Sequence, residues 1–185
     1  MKLFILLALC TLSLFSIEIS EDQKEIETLS KKYLGANYVW GGNTPEGFDC
    51  SGYTKYIFEK KGIKLPRTAW QQSKVGDLVV DEFKKGDLLF FNTDTSRGIP
   101  VTHVGVYLED NKFIHAASRK EGVIISSLDR YKNTFVTAKR ILGSNDPLVE
   151  KDFFMIKFKK ALKAETKVNI KIGGYKLVNG VYKRY

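Results

Sequence analysis

Cysteine and histidine are scarce in this chain of 185 residues, which holds two of each. No CxxC or HxxxH spacing occurs, so a disulfide framework and a zinc site of ordinary ligand spacing are both excluded. Proline is equally rare, at four residues, and 43% of the chain is hydrophobic against 28% charged. That balance excludes a disordered chain. The length accommodates one ordinary domain with a small appendage and excludes two large ones. There is no internal repeat and no low-complexity tract. Long apolar runs are limited to residues 1–16, which begin with Lys2, end at Ser16 and are followed closely by Glu18, Glu21 and Asp22. The run is short for a bilayer span and has the shape of a secretory signal peptide, residues 1–20, cleaved somewhere in 16–20. An exported protein is expected, in the periplasm, at the cell surface or secreted. Cys10 lies inside the leader, with Leu9 before it where lipidation requires a small residue. The mature chain is left with one thiol, Cys50, and no possible internal disulfide.

Charge is plentiful but unevenly placed. The formal net charge is +9, and residues 148–185 supply most of it, with ten Lys and Arg against Glu150, Asp152 and Glu165. The turn-rich Gly143-Ser144-Asn145-Asp146 before Pro147 marks a domain edge. A domain over 21–146 and a basic extension over 147–185 are therefore expected. Residues 148–164 fit a basic amphipathic helix or a strand, and Asn179-Gly180 centres a hairpin. The extension is either a solvated basic tail or an anchor to an anionic envelope surface. Nucleic acid is not expected as a partner, because no recognition motif is present. A monomer is expected.

Within the domain the hydrophobic period changes once. Ser20-Glu21-Asp22-Gln23 reads as a capping box, and Ile26, Leu29 and Tyr33 follow at helical spacing, giving a helix over 21–34 before Gly35. Residues 38–47 form a glycine-rich loop. A second helix over 50–61 carries Tyr53, Tyr56 and Ile57 on one face, with Asp49 placed to cap it and Gly62 closing it. From Gly86 onward short β-branched and aromatic runs predict strands at 87–91, 102–108, 112–117, 123–126 and 135–142. Helices followed by an antiparallel sheet define an α+β fold.

The two histidines fall on neighbouring strands joined by Glu109-Asp110-Asn111. A three-residue hairpin loop ending in a left-handed Asn111 pairs Leu108 with Lys112, Val106 with Ile114 and Gly105 with His115. Val104, Val106, Leu108, Ile114 and Ala116 then share an apolar face, while His103, Gly105 and His115 share the other. Gly105 is expected to leave open space beside the imidazoles. Cys50 begins its helix, where the dipole and unpaired N–H groups favour a thiolate and supply donors for an oxyanion. Cys50, His103 and His115 thus provide nucleophile, base and base-orienting group for acyl transfer. The plainer alternatives are a buried structural thiol and hydrogen-bonded core histidines. A zinc site from the same three residues lacks an evident fourth ligand.

Residues 33–52, YLGANYVWGGNTPEGFDCSG, together with LPRTAWQQSKVG, KKGDLLFF, HVGVYLEDNKFIHAAS and a closing strand at 136–141, resemble the NlpC-type cysteine peptidases of bacterial cell walls. The likeness runs from about residue 25 to 142. It implies a papain-like α+β core and hydrolysis of peptidoglycan stem peptides, typically at the bond from γ-D-glutamate to diaminopimelate, with no cofactor and no metal. By position it implies Cys50 as nucleophile, His103 as base and His115 as the third polar member. It also implies Tyr38 near the oxyanion and the substrate amine, Asp49 and Ser51 at the N-terminal part of the stem peptide, and a role for Arg67 in the LPRT segment. Simpler roles compete: Tyr38 and Trp40 as core packing, and Asp49 as helix cap. The stretch 92–102 is a longer approach to His103. Rival functions are acyl or amide transfer on the same thiol and a non-catalytic wall-binding protein.

Overall fold

The computed structural model describes residues 21–144, residue 146, and strand residues 171–172, 175–178 and 181–184. The expected leader and the segment 148–164 lie outside the described residues.

Residues 21–31 form helix α1, three residues shorter than expected. Its wet face is laced by Lys24–Glu21 (3.0 Å) and Lys31–Glu27 (2.6 Å) ion pairs, while Ile26 is fully buried. The stretch expected as plain loop contains a small hairpin, β1 (Asn43–Thr44) with β2 (Gly47–Phe48). Helix α2 (Cys50–Glu59) follows, then the short α3 (Ala69–Gln72). Phe48 meets Tyr33, Tyr53 and Tyr56 at ring separations of 5.7, 5.5 and 5.3 Å. Such contacts each add about 0.5–1.5 kcal/mol to simple burial. The Tyr53 hydroxyl donates to the Ser30 carbonyl at 2.8 Å, tying α2 to α1.

The sheet comprises β3 (Asp77–Leu78), β4 (Leu88–Phe91), β5 (His103–Tyr107), β6 (Lys112–Ser118), β7 (Gly122–Ser127) and β8 (Phe135–Arg140). Its order is β3-β8-β4-β5-β6-β7, antiparallel throughout. β3 is too short to leave a periodic signal, and β8 stops two residues before the expected 142. One face packs Val104, Val106, Leu108, Ile114 and Ala116 into the main core with Tyr53, Ile57 and Phe58 of α2. The other face carries Leu89, Phe91, Phe113 and Ala138, with Tyr107, Tyr131 and Phe135 against them. The β5–β6 register is the expected one: Val106 pairs with Ile114 and the Leu108 N–H donates to the Lys112 carbonyl at 3.0 Å. Both Asp110 and Asn111 are left-handed, at φ 51° and 59°. Near the C-terminus, β9 (Lys171–Ile172), β10 (Tyr175–Val178) and β11 (Val181–Arg184) form a separate antiparallel sheet, with Val178 paired to Val181 as a hairpin about 179–180 requires.

Candidate active site

Asp49 fixes the start of α2. Its Oδ1 accepts the Gly52 N–H at 2.7 Å, and its Oδ2 accepts the Gly41 N–H at 3.0 Å. Its own N–H donates to the Gly42 carbonyl at 3.0 Å. A Cβ on Gly52 would lie 2.0 Å from that carbonyl oxygen, so the β1–β2 hairpin can press on the helix start only if residue 52 is glycine. Cys50 is thereby held at the first helical position, with its Sγ 4.0 Å from the Thr102 carbonyl oxygen. Thr102 and Val104 flank His103 in the chain, so the thiol sits against the beginning of β5.

The thiol differs from the expected thiolate. Burial pushes it up to about 11, with the Asp49 carboxylate adding to the rise, although N–H groups of Val104, Ser51 and Cys50 pull the other way. Cys50 is only 9% exposed, and loss of water outweighs the helix-start donors. At neutral pH Sγ carries its proton.

His103 and His115 meet edge to face. His103 Nε2 lies 2.6 Å from His115 Nδ1, and His115 Nε2 lies 3.0 Å from the Ser126 hydroxyl. Burial lowers His103 to about 4, with Asp49 pulling it up, and burial followed by the neighbouring His103 and Arg130 lowers His115 further. Both rings are neutral at pH 7, and among the described residues His103 Nδ1 has no hydrogen-bond partner. Phe113 lies 4.5 Å from the His115 ring, and Tyr131 stacks parallel to His103 at 6.4 Å. The space at Gly105 is not open, as a Cβ there would meet the Phe113 ring at 2.5 Å and His115 Cβ at 3.0 Å. Glycine admits these rings to the pair and does not widen a cleft.

Asp49, Ser51 and Arg67 form one polar cluster. The Arg67 guanidinium donates to both Asp49 oxygens at 3.0 and 2.6 Å and to the Ser51 hydroxyl at 3.1 Å. Asp49 is therefore both helix cap and partner of Arg67. Gln72, fully buried, donates to the carbonyls of Ser51 and Pro66 at 2.9 Å each and accepts from the Thr54 hydroxyl at 2.8 Å. It pins the segment bearing Arg67 to α2. Tyr38 is half-buried; its phenol is raised by burial and then by the nearby Cys50 and Asp49. Trp40 is 64% exposed, with the Arg97 guanidinium 5.2 Å from its ring, so it is not core packing.

Five of the seven residues singled out fall into two directly bonded groups, His103–His115 and Asp49–Ser51–Arg67, and Cys50 opens the helix that Asp49 caps. Tyr38 feels the charge of Cys50 and Asp49. Sequence reasoning missed Ser126, Tyr131 and Gln72. Only Gln72 carried a signal, as the second glutamine of the LPRTAWQQSKVG segment.

A thiol at a helix start set against a histidine-bearing strand of an antiparallel sheet is the layout of papain-like cysteine peptidases. The NlpC/P60 family profile matches residues 35–140, and the chain belongs to this family of cysteine peptidases. It is 38% identical over 152 residues to a gamma-DL-glutamyl hydrolase of Bacillus subtilis, covering 76% of this chain and 37% of that protein. To a gamma-D-glutamyl-L-lysine dipeptidyl-peptidase of Bacillus cereus it is 39% identical over 115 residues, 60% of this chain and 34% of the relative. The chain thus spans little more than a third of either relative. The solved NlpC/p60 domain of the peptidoglycan hydrolase SagA matches with a TM-score of 0.56 at 31% identity, covering 64% of this chain and 98% of that one.

Proposed function

We propose that this chain is an exported peptidoglycan hydrolase that cuts stem peptides on the carbonyl side of γ-D-glutamate, at the bond to diaminopimelate. The observation that carries this reading is the contact of the buried thiol with the strand that bears the 2.6 Å His103–His115 pair. A γ-glutamyl acyl group is supported by the names of both curated relatives, its D configuration by that of the dipeptidyl-peptidase, and peptidoglycan by the name of the solved one.

Chemistry follows from the protonation states. His103 Nδ1 takes the proton from Cys50 Sγ as sulfur attacks the scissile carbonyl carbon, and helix-start N–H groups receive the developing oxyanion. Collapse breaks the C–N bond. The imidazolium gives its proton to the departing amine and leaves a γ-glutamyl thioester on Cys50. Water then attacks the thioester with His103 again as base, releasing the carboxylic acid and restoring the thiol. His115 holds the His103 ring, while Asp49, Ser51, Arg67 and Tyr38 meet the substrate around the helix start.

Residues 1–20 direct export, and residues 148–185 hold the enzyme at an anionic envelope surface. Purified muropeptides tested with the protein and with Cys50→Ala discriminate the alternatives. Products each bearing a new amine or a new carboxylate, gaining one water in total, support hydrolysis. Products joined to another amine indicate transfer, and intact peptides with both proteins contradict the reading.

A further inference from the structure

The histidine pair does not end at His115. Ser126 Oγ lies 3.0 Å from His115 Nε2, and it also neighbours Tyr131, whose phenol burial raises and Ser126 draws back down. Tyr131 also lies edge-on to His115 at 5.4 Å and parallel to His103. Ser126 is the penultimate residue of β7, before Ser127, which caps the 3-10 turn Leu128–Tyr131, so one short segment delivers both hydroxyls.

We infer that Ser126, packed beside Tyr131, is a positioning residue that accepts the His115 Nε2–H and so holds both histidines in the tautomers that keep Nδ1 of His103 free to accept a proton. This rests on His103 being the base of the proposed reaction. A neutral imidazole has one donor and one acceptor nitrogen, so the chain of contacts has two self-consistent directions. In the first, His103 Nε2–H donates to His115 Nδ1 and His115 Nε2–H donates to Ser126. His103 Nδ1 is then bare. In the second, every proton reverses and His103 Nδ1 carries hydrogen, so it cannot take the Cys50 proton.

Turnover selects the first direction. Once His103 becomes imidazolium its Nε2 must carry hydrogen, and the second direction would bring two N–H groups together across 2.6 Å. The first direction serves the neutral base and the imidazolium alike, with no ring or hydroxyl rearrangement between them. Ser126 is the acceptor this requires. His115 is 0% and Ser126 4% exposed, which keeps water from substituting for the hydroxyl.

Long-range proton–nitrogen correlation spectra of the free, ¹⁵N-labelled full chain near pH 7 read the tautomers directly. The expected result is hydrogen on Nε2 of both His103 and His115, with both Nδ1 atoms bare. Hydrogen on Nδ1 of both rings overturns the inference, whether or not any variant folds. Alkylation of Cys50 by iodoacetamide, followed against pH, tests the consequence without any peptide substrate. Ser126→Ala is expected to slow labelling at neutral pH by at least about tenfold with its circular dichroism unchanged, and Ser126→Thr to restore it. Undiminished labelling in Ser126→Ala also overturns the inference. Correct tautomers in a protein that leaves muropeptides intact would instead sink the proposed function.

Discussion

At Cys50 two effects of the same position oppose each other. The helix start offers donors worth a few tenths to about 1 kcal/mol to a thiolate. A rise from 9.0 to about 11 corresponds to about 3 kcal/mol in the other direction, so desolvation wins. Nucleophile activation must then come from proton transfer to His103 at the moment of attack. A stability profile follows by linkage. The folded thiol sits above its unfolded value, so its contribution is present below about pH 9 and is lost as pH rises toward 11. His103 is depressed from 6.5 to about 4, so its contribution is present above 6.5 and lost as pH falls through 4. Together Cys50 and His103 contribute a plateau between about 6.5 and 9 with a fall on each side. Lys74, which burial lowers to about 7, adds a rise between about 7 and 10.5. Urea unfolding of the protein is therefore compared across pH with that of Cys50→Ala to isolate the thiol. Cys50→Ala should remove activity and flatten the alkaline fall while keeping the acidic one; an unchanged alkaline limb would contradict the assignment.

At the scale of elements, the buried Gln72 amide joins α2 to the loop bearing Arg67, beside the bonds from Arg67 itself to Asp49 and Ser51. Gln72→Leu leaves the Pro66 carbonyl without its partner, while the Thr54 hydroxyl and the Ser51 carbonyl keep each other, at 3.0 Å. A loss of about 1–3 kcal/mol for each group left bare is the upper scale, so a fall of several degrees in Tm is expected in a melting experiment. Arg67 should also lose its hold on Asp49, raising KM more than it lowers kcat; an unchanged KM would count against this link. The elements that carry the thiol and the histidines were legible because their signals are local. Asp49 and Cys50 begin a periodic run, and Glu109-Asp110-Asn111 fixes a register from a three-residue loop. Ser126 was not legible for a definite reason. Pairing beside the β6–β7 turn runs Ser118↔Gly122, but a bulge between Ala116 and Ser118 shifts the ladder to Phe113↔Ser126. Counting back from the turn without the bulge puts Ser127 on the histidine face instead. The raised thiol was hidden because burial depends on the whole fold and not on the position of one residue in a helix.

For the molecule as a whole, the +9 charge divides unequally between chemistry and location. The excess in residues 148–185 lies outside the segment matched by the family profile. A chain ending at residue 147 is expected to bind anionic phospholipid vesicles at least about tenfold more weakly at low salt, with the difference shrinking as salt rises. Its rate of Cys50 alkylation should stay unchanged. Equal vesicle binding by the two forms would remove the anchoring role.

The most direct test of the central claim is mass spectrometry of purified muropeptides after digestion with the full chain. A new free α-amine on diaminopimelate and a new γ-carboxylate on D-glutamate, both lost with Cys50→Ala, are the result predicted here. The same cleavage by Cys50→Ala, or scission elsewhere in the stem peptide, would contradict it.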